Sequence, residues 1–433
     1  MIIIYFYCNI YKHYFYGGTP MQALIYAIIL DPDKCVGCTN CIKSCPTEAI
    51  RVKNGHSYTI KERCINCGQC ILACPRHARF GTTDGLELIN SYKYKIALID
   101  PVLYGQFNEV ISPPEVINGI LNLGFDNYFE TSRGADVITE FTKSLMNNDF
   151  NKPVISSACP TIVRLIQIRF PSLIDNILPI DSPVEVSAFM ARKDAYEEHN
   201  LSEDEVGVFY ITPCPARIFS FKKPVGIKKS HISGTLSIKS AFIEVSKNLN
   251  KNQNHPKSFY PSGKGIGWAR SGGQSQALGI KDYLAIDGIK NVISVLEEIE
   301  NHKMKDLKFL ECCACTNGCV GGSLTIENSF VARNRIRRLA EKYYNYESKP
   351  DVPFEDFLLQ EDLAPIQVTK LDDDLLTAIK KMEEIQRILP TLPNIDCGAC
   401  GAPNCRALAE DIVLGSASIE DCIVILKSSV KKK

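Results

Sequence analysis

The sequence predicts a multi-domain α/β protein. Three observations predict it. Two tandem cysteine runs lie near the start, apolar segments alternate as strands and helices from Lys93 onward, and a last cysteine group follows an amphipathic helix. The chain has 433 residues, 45% of them hydrophobic, and a formal net charge of zero. That length suits two to four domains. No basic excess points to nucleic acid, and no apolar stretch is long enough to span a bilayer. The outlier is cysteine, with 19 residues, mostly in tight clusters. Closely clustered thiols in a chain without an export signal imply metal in a reducing cytoplasm, not disulfides.

The chain starts with an apolar stretch, Met1 to Cys8, broken by Lys12 and His13. It lacks a basic leader region. Residues 1–21 are expected to be a non-native or disordered extension, with Met21 the natural start.

Residues 22–82 form the first unit. It carries Cys35-x2-Cys38-x2-Cys41-x3-Cys45-Pro and Cys64-x2-Cys67-x2-Cys70-x3-Cys74-Pro. This is the two-cluster ferredoxin spacing, in which the fourth cysteine of each run crosses to the other cluster. Cys35, Cys38, Cys41 and Cys74 are therefore assigned to one 4Fe-4S cluster, and Cys64, Cys67, Cys70 and Cys45 to a second. Zinc would call for paired Cys-x2-Cys ligands instead of two runs of four. Ala23–Leu30 and Ser57–Ile60 read as short strands. Two adjacent clusters serve to pass single electrons.

Residues 81–92 read as a linker. The second unit, 93–346, alternates in the manner of a parallel or mixed sheet with covering helices. Lys95–Ile99 and Asn127–Glu130 read as strands, Pro113–Leu123 and Ala135–Met146 as helices. Apolar strands then run into Cys159 and Cys214, with a helix from Thr161 to Arg169 between them. A third strand ends at Leu310, before Glu311-Cys312-Cys313-Ala314-Cys315-Thr316-Asn317-Gly318-Cys319, and Thr325–Tyr344 reads as the following helix. Carboxyl ends of such strands converge on a ligand crevice. Cys159, Cys214, Cys315 and Cys319 would place four thiolates around one iron–sulfur cluster. Gly263-x-Gly265-x-Gly267 and Ser271-Gly272-Gly273 lack the strand and downstream acid of a dinucleotide site and read as loops near the cluster. The scattered histidines, His56 and His77 among them, read as surface or satisfied residues.

The third unit is 371–427. Leu371–Leu389 reads as an amphipathic helix with Leu371, Leu375, Ile379, Met382 and Ile385 on one stripe. Cys397, Cys400, Cys405 and Cys422 follow, with a helix between the last two. They suit a further 4Fe-4S cluster, with zinc as the alternative. Cys8, Cys312 and Cys313 are left over.

In this order the pieces resemble the iron-only (FeFe) hydrogenases. The motifs are Ser156-Ser157-Ala158-Cys159-Pro160, Thr212-Pro213-Cys214-Pro215-Ala216-Arg217 and the Glu311–Cys319 stretch; Gly124-Phe125-Asp126, Gly134-Ala135-Asp136 and Ser182-Pro183 also match family positions. The resemblance implies an N-terminal ferredoxin-like domain with two 4Fe-4S clusters, a two-lobed α/β domain for an H cluster, and a small helical C-terminal 4Fe-4S module of the sensory branch. An H cluster is a 4Fe-4S cluster sharing one cysteine with a diiron unit that bears CO, cyanide and a bridging dithiolate amine. By resemblance Cys159, Cys214 and Cys315 hold the cubane, and Cys319 bridges to the diiron unit.

Departures from the family pattern bear on function. The proton-relay cysteine of catalytic members is Ala158 here, which cannot titrate. Their cyanide-contacting lysine is Arg217, a planar fork in place of a point charge. Flanking methionines are Thr212 and Cys313. The helix that normally carries two exit glutamates has only Glu140, out of step. These features imply a sensory or low-activity hydrogenase that binds H2 and exchanges electrons with ferredoxin or another redox protein. Ala158, Arg217, Cys313 and Ser182 are its candidate reaction-site residues, and output would pass to a signalling partner. Two alternatives stand beside it: a catalytic ferredoxin-linked hydrogenase using Cys313 or Cys312, and an electron-transfer protein whose H-cluster site holds a 4Fe-4S cluster only.

Overall fold

The computed structural model describes residues 26–146, 152–249, 262–346, 353–368 and 370–430. The expected N-terminal extension and Cys8 lie outside the described residues. The first unit is built from two antiparallel pairs. Strand β1 (Ile28–Leu30) pairs with β4 (Arg79–Gly81), and β2 (Ile50–Lys53) pairs with β3 (His56–Thr59). Each cysteine run ends in one short helical turn, Asn40–Lys43 and Gln69–Leu72. Such turns bury Ile42, Cys41 and Cys70.

The second unit holds two parallel sheets. One has four strands in the order β6 (Asn127–Glu130), β5 (Tyr94–Ile99), β8 (Val206–Thr212), β9 (Gly234–Ser237). The other has three, in the order β10 (Tyr283–Asp287), β11 (Phe309–Cys313), β7 (Val154–Ile155). Strand β8 is buried along its whole length, as a central parallel strand covered on both faces must be. Ile96 and Leu98 point to the core shared with Val206, Val208 and Tyr210, while Ala97 and Ile99 face the opposite core with Phe209 and Ile211. This period of two is why an unbroken apolar run serves here.

Expected elements are found with shifted ends. The helices run Pro113–Leu121, Thr131–Met146, Pro160–Arg169 and Ser329–Lys342. The linker is ordered: Leu86–Ser91 forms a 3-10 turn, and Asp84 Oδ2 accepts from Thr235 N and Oγ1 at 2.8 and 2.9 Å.

Three readings are corrected. The Gly263–Gly267 segment is not a loop, whereas Ser271-Gly272 is a turn, as expected, that leads into a helix at Gly273. Gly263–Gly267 and Gly273–Leu278 are short helices. Ser262 caps the first by accepting from Gly265 N at 3.0 Å, and a Cβ on Gly265 would stand 2.1 Å from Ser132 O. The glycines are there for close helix packing, not for a loop. Strands β9 and β10 have no counterpart in the sequence reading, because each is short and Tyr283–Asp287 mixes apolar and polar residues. The C-terminal helix runs Leu375–Ile388, and its stripe is only partly used. Ile385 is buried, whereas Leu375, Ile379 and Met382 are exposed, because only the last turns pack on helix Cys405–Val413.

Candidate metal centre

All described cysteines are free thiols. In the first unit they line two cavities. One holds Cys35, Cys38, Cys41 and Cys74. The other holds Cys45, Cys64, Cys67 and Cys70. The fourth cysteine of each run thus lies with the other run's first three. Cys45 adds its charge to the neighbours that push the Cys64, Cys67 and Cys70 thiols up, after burial as the larger cause. Cys64 rises to about 11 and Cys70 to about 12. Cys35 goes the other way: burial opposes the charge, but hydrogen bonds from Gly37 and Ser57 and the Arg79 charge outweigh it.

Among the described residues no group of three or more His, Cys, Asp or Glu converges to hold a single metal ion. In the first unit the thiols instead line a space, as one ligand per iron of a cubane requires. The second cavity also meets that test in its polar lining. Asn66 is 1% exposed, and neither its Nδ2 nor its Oδ1 has a partner among the described residues. Arg79 Nε is likewise unpartnered, and both residues line the cavity. Donors left unpaired in a cavity lined by thiols fit a group with acceptor sulfides.

The second unit gathers its functional residues at the carboxyl ends of its strands. Asp100 follows β5, Glu130 ends β6, Cys159 follows β7, Cys214 follows β8, and Cys315 and Cys319 follow β11. Both Cys-Pro steps open helices. Cys159 and Cys214 are N-caps with proline at the next position, which fixes φ where an amide hydrogen would be unused. A helix start also favours a thiolate. The Cys319 loop is drawn onto the Cys214 loop by a close backbone approach. A Cβ on Gly322 would lie 2.3 Å from Pro213 O, and Gly318 turns with φ +91° against Ser271. Cys315 feels the charges of Cys214, Cys159 and Cys319, Cys319 feels those of Cys159 and Cys214, and Cys214 feels that of Cys159. Burial comes first in pushing Cys214 to about 11 and Cys319 to about 12. Loading such a site therefore displaces protons from the thiols.

Arg217 is the buried cation of this group. Its Nη2 donates to Ala158 O at 3.2 Å. Burial works against its charge, but Tyr210, Cys319, Cys214 and Asp100 more than offset that and raise its hold on the proton. Tyr210 Oη donates to Asp100 Oδ2 at 2.5 Å. Ser182 caps the helix Pro183–His199, accepting from Glu185 N at 3.4 Å. It also lines a cavity with Ser157, Asp181, Glu185 and Arg217. Cys313 sits beside Cys319 and Cys159, its thiol pushed well up by burial and then by Glu311. Glu311 itself caps the helix Gly273–Leu278, accepting from Gly272 N and Ser275 N, both at 2.8 Å. Cys312 is core, packed among Leu310, Ala314 and Ile155.

The second dicluster cavity and this site adjoin. Cys67 is among the charges felt at Cys315, and Gln69 Nε2 reaches Ala314 O at 3.5 Å. At the C-terminus Cys400 senses Cys422 and Cys397, and Cys400, Cys405 and Cys422 share one small core.

Residues 93–279 and 241–323, two overlapping segments, match the family "Iron only hydrogenase large subunit, C-terminal domain". The chain belongs to the iron-only hydrogenase large subunit family. Residues 27–75 match a 4Fe-4S dicluster domain and residues 392–424 an Fe-S cluster domain. The hydrogenase-type chain is 25% identical over 259 residues to Iron hydrogenase 1 of Clostridium pasteurianum, covering 48% of this chain and 44% of that one. It is 27% identical over 220 residues to the periplasmic [Fe] hydrogenase large subunit of Nitratidesulfovibrio vulgaris, covering 46% and 52%. The chain thus spans about half the length of these curated relatives. A variant of the [FeFe]-hydrogenase HydA1 from Chlamydomonas reinhardtii aligns at 16% identity and TM-score 0.47, covering 65% of this chain and 98% of that one.

Sequence reasoning missed Asp100, Tyr210, Glu130, Asn66 and the Asp181–Glu185 pair. Asp100 and Glu130 carry a usable signal, an acid ending an apolar strand. Tyr210 and Asn66 carry none.

Proposed function

We propose that this iron-only hydrogenase-type protein is a hydrogen sensor with slow turnover, not a fast catalyst. The observation that supports it is Ala158. Four mutually close thiols and the Arg217 cation are retained, while the side chain beside Cys159 is a methyl group. When bound, an H cluster supplies the two-electron chemistry of hydrogen. Cys159, Cys214 and Cys315 would hold its cubane, and Cys319 would bridge to the diiron unit. The residues of the chain do the rest. Arg217 offers donors to an anionic ligand and holds the Ala158 carbonyl. Proton delivery is the weak step, because losing one positioned acid–base group costs about 10²–10⁴-fold in rate. Cys313 replaces that group poorly, since its raised thiol resists giving up a proton near neutral pH.

Electrons would pass through the dicluster unit to and from ferredoxin or a comparable cytoplasmic redox protein, and the signal to a partner protein. Infrared spectra of protein made with hydrogenase maturases test the reading. CO and cyanide bands that respond to H2, with low hydrogen evolution per diiron unit, are expected. Absent bands would leave an electron-transfer protein, and fast evolution would make it a catalyst.

A further inference from the structure

The C-terminal module is seated on the dicluster unit. Strand β2 pairs on one side only, with β3, and Val52 N on it donates to Gly401 O at 2.9 Å. Gly401 follows Cys400 directly, and a Cβ there would lie 2.0 Å from Val52 O. Only glycine lets the two backbones meet so closely, and its φ of +89° suits glycine as well. Val52 in turn lines the cavity of Cys35, Cys38, Cys41 and Cys74.

Charge pairs fix the contact. Arg51 Nε and Nη2 donate to Asp411 Oδ2 and Oδ1 at 2.5 and 3.2 Å. Arg63 pairs with Glu410. Asn404 Nδ2 donates to Glu48 Oε1 at 2.6 Å, and Lys53 Nζ to Ser416 O at 3.1 Å. The Arg51 side chain is 3% exposed and the Arg63 side chain 9%, so both pairs are taken from water. A two-pronged Arg–carboxylate contact sets orientation as well as adhesion. A surface tether would need neither.

We propose that this seat makes the C-terminal thiol site the outer terminal of one fixed electron relay. Its order is the C-terminal site, the first dicluster site, the second, and then Cys315. This rests on the reading of all four sites as iron–sulfur sites, though not on hydrogen chemistry. One electron leaves an external one-electron reductant, enters at the C-terminal site and leaves it for the first dicluster site. No bond forms or breaks, and no proton moves. Arg51, Arg63, Glu410 and Asp411 act as positioning residues.

The full chain, reconstituted with iron and sulfide but without a diiron unit and reduced with dithionite, provides the test. Its electron paramagnetic resonance should show spin–spin coupling between the C-terminal and dicluster clusters. Cys397→Ser with Cys400→Ser should remove about four irons and that coupling together. Glu410→Arg with Asp411→Arg should keep the full iron content but lose the coupling, and should release the module to limited proteolysis. Adding Arg51→Asp and Arg63→Glu should bring the coupling back. Coupling absent from the wild type, coupling untouched by the charge reversal, or zinc at the C-terminal site would overturn the proposal. If the double charge variant loses iron, the Gly401→Val variant is used instead, judged by the same two readouts. A wild type that couples here, yet whose CO and cyanide bands do not respond to H2 once it is matured with a diiron unit, would count against the sensor alone.

Discussion

Arg217 Nη2 donates to the carbonyl oxygen of Ala158. The link joins two of the motifs in which the resemblance marks a departure from the catalytic pattern. A lysine could not make the same planar contact while also facing Asp100 and Tyr210. The Ala158 side chain leaves nothing to titrate, yet its backbone is held in place. On the proposed reading, the relay position is held in place while the relay group is missing.

Restoring the group is the first prediction. Ala158→Cys should raise hydrogen evolution per diiron unit about 10-fold or more, below the full 10²–10⁴ range of a positioned acid–base group. The gain is limited because, by the resemblance, helix Thr131–Met146 lacks the exit carboxylates: its apolar Leu145 offers none, and Thr142 spends its hydroxyl on Ile138 O at 2.7 Å. Ala158→Cys with Leu145→Glu should exceed the product of the single gains, since a broken relay does not carry protons. Wild type already as fast as the variants would defeat the sensor reading.

Much of this is legible in the sequence. Thiol spacing is local, and the division of Cys35 to Cys74 by pattern matches the linings of the two cavities. Strand-then-cysteine runs located the carboxyl-end crevice because chain direction fixes which strand end faces it. What escaped depends on side chains meeting from distant segments. Tyr210 sits in an apolar run and reads as core, and only the fold brings its hydroxyl to Asp100. Nothing in its local sequence singles out Arg51, yet it is buried by Asp411, some 360 residues later. The glycines at 263–267 were legible as special but not as helical, because their reason is the neighbouring backbone of Ser132.

Arg217 can be tested from two sides. Arg217→Ala removes a buried cation facing Asp100 and leaves Ala158 O without its donor. A loss of about 3 kcal/mol or more in unfolding free energy is expected, the upper worth of a buried hydrogen bond from a charged group with the contact to the Tyr210 ring lost as well. Arg217→Lys keeps the charge and should lose about 1–3 kcal/mol, the worth of a charged hydrogen bond. Denaturant unfolding of the iron-free protein measures both. Equal stability of the two variants would refute the planar contact as the reason for arginine.

The bridging thiol gives a spectroscopic prediction. Cys319→Ala should abolish the CO and cyanide bands while the dicluster and C-terminal irons stay. The wild type should hold about eighteen irons, four in each of four cubanes and two more. Full-strength bands in the variant would remove Cys319 from its proposed role.

Glu130 yields a prediction in pH. It is 2% exposed and accepts from Tyr104 Oη at 2.7 Å. Burial, as the main cause, pushes its carboxyl from 4.5 up to about 7, against the lowering effects of Tyr104 and Arg133. The folded protein therefore holds this proton more tightly than the unfolded chain. Its stabilising effect is complete below about pH 4.5 and is lost as pH rises through about 7. At 1.36 kcal/mol per pH unit the loss amounts to about 3 kcal/mol. Glu130→Gln keeps an acceptor for Tyr104 but has no proton to lose. Its stability relative to wild type should climb between pH 4.5 and 7 and level off above that, by about 3 kcal/mol in all. Urea unfolding at four or five pH values across that window reads the difference directly. A difference that stays flat with pH would show that Glu130 titrates normally in the fold, and that burial at the end of β6 does not hold it neutral.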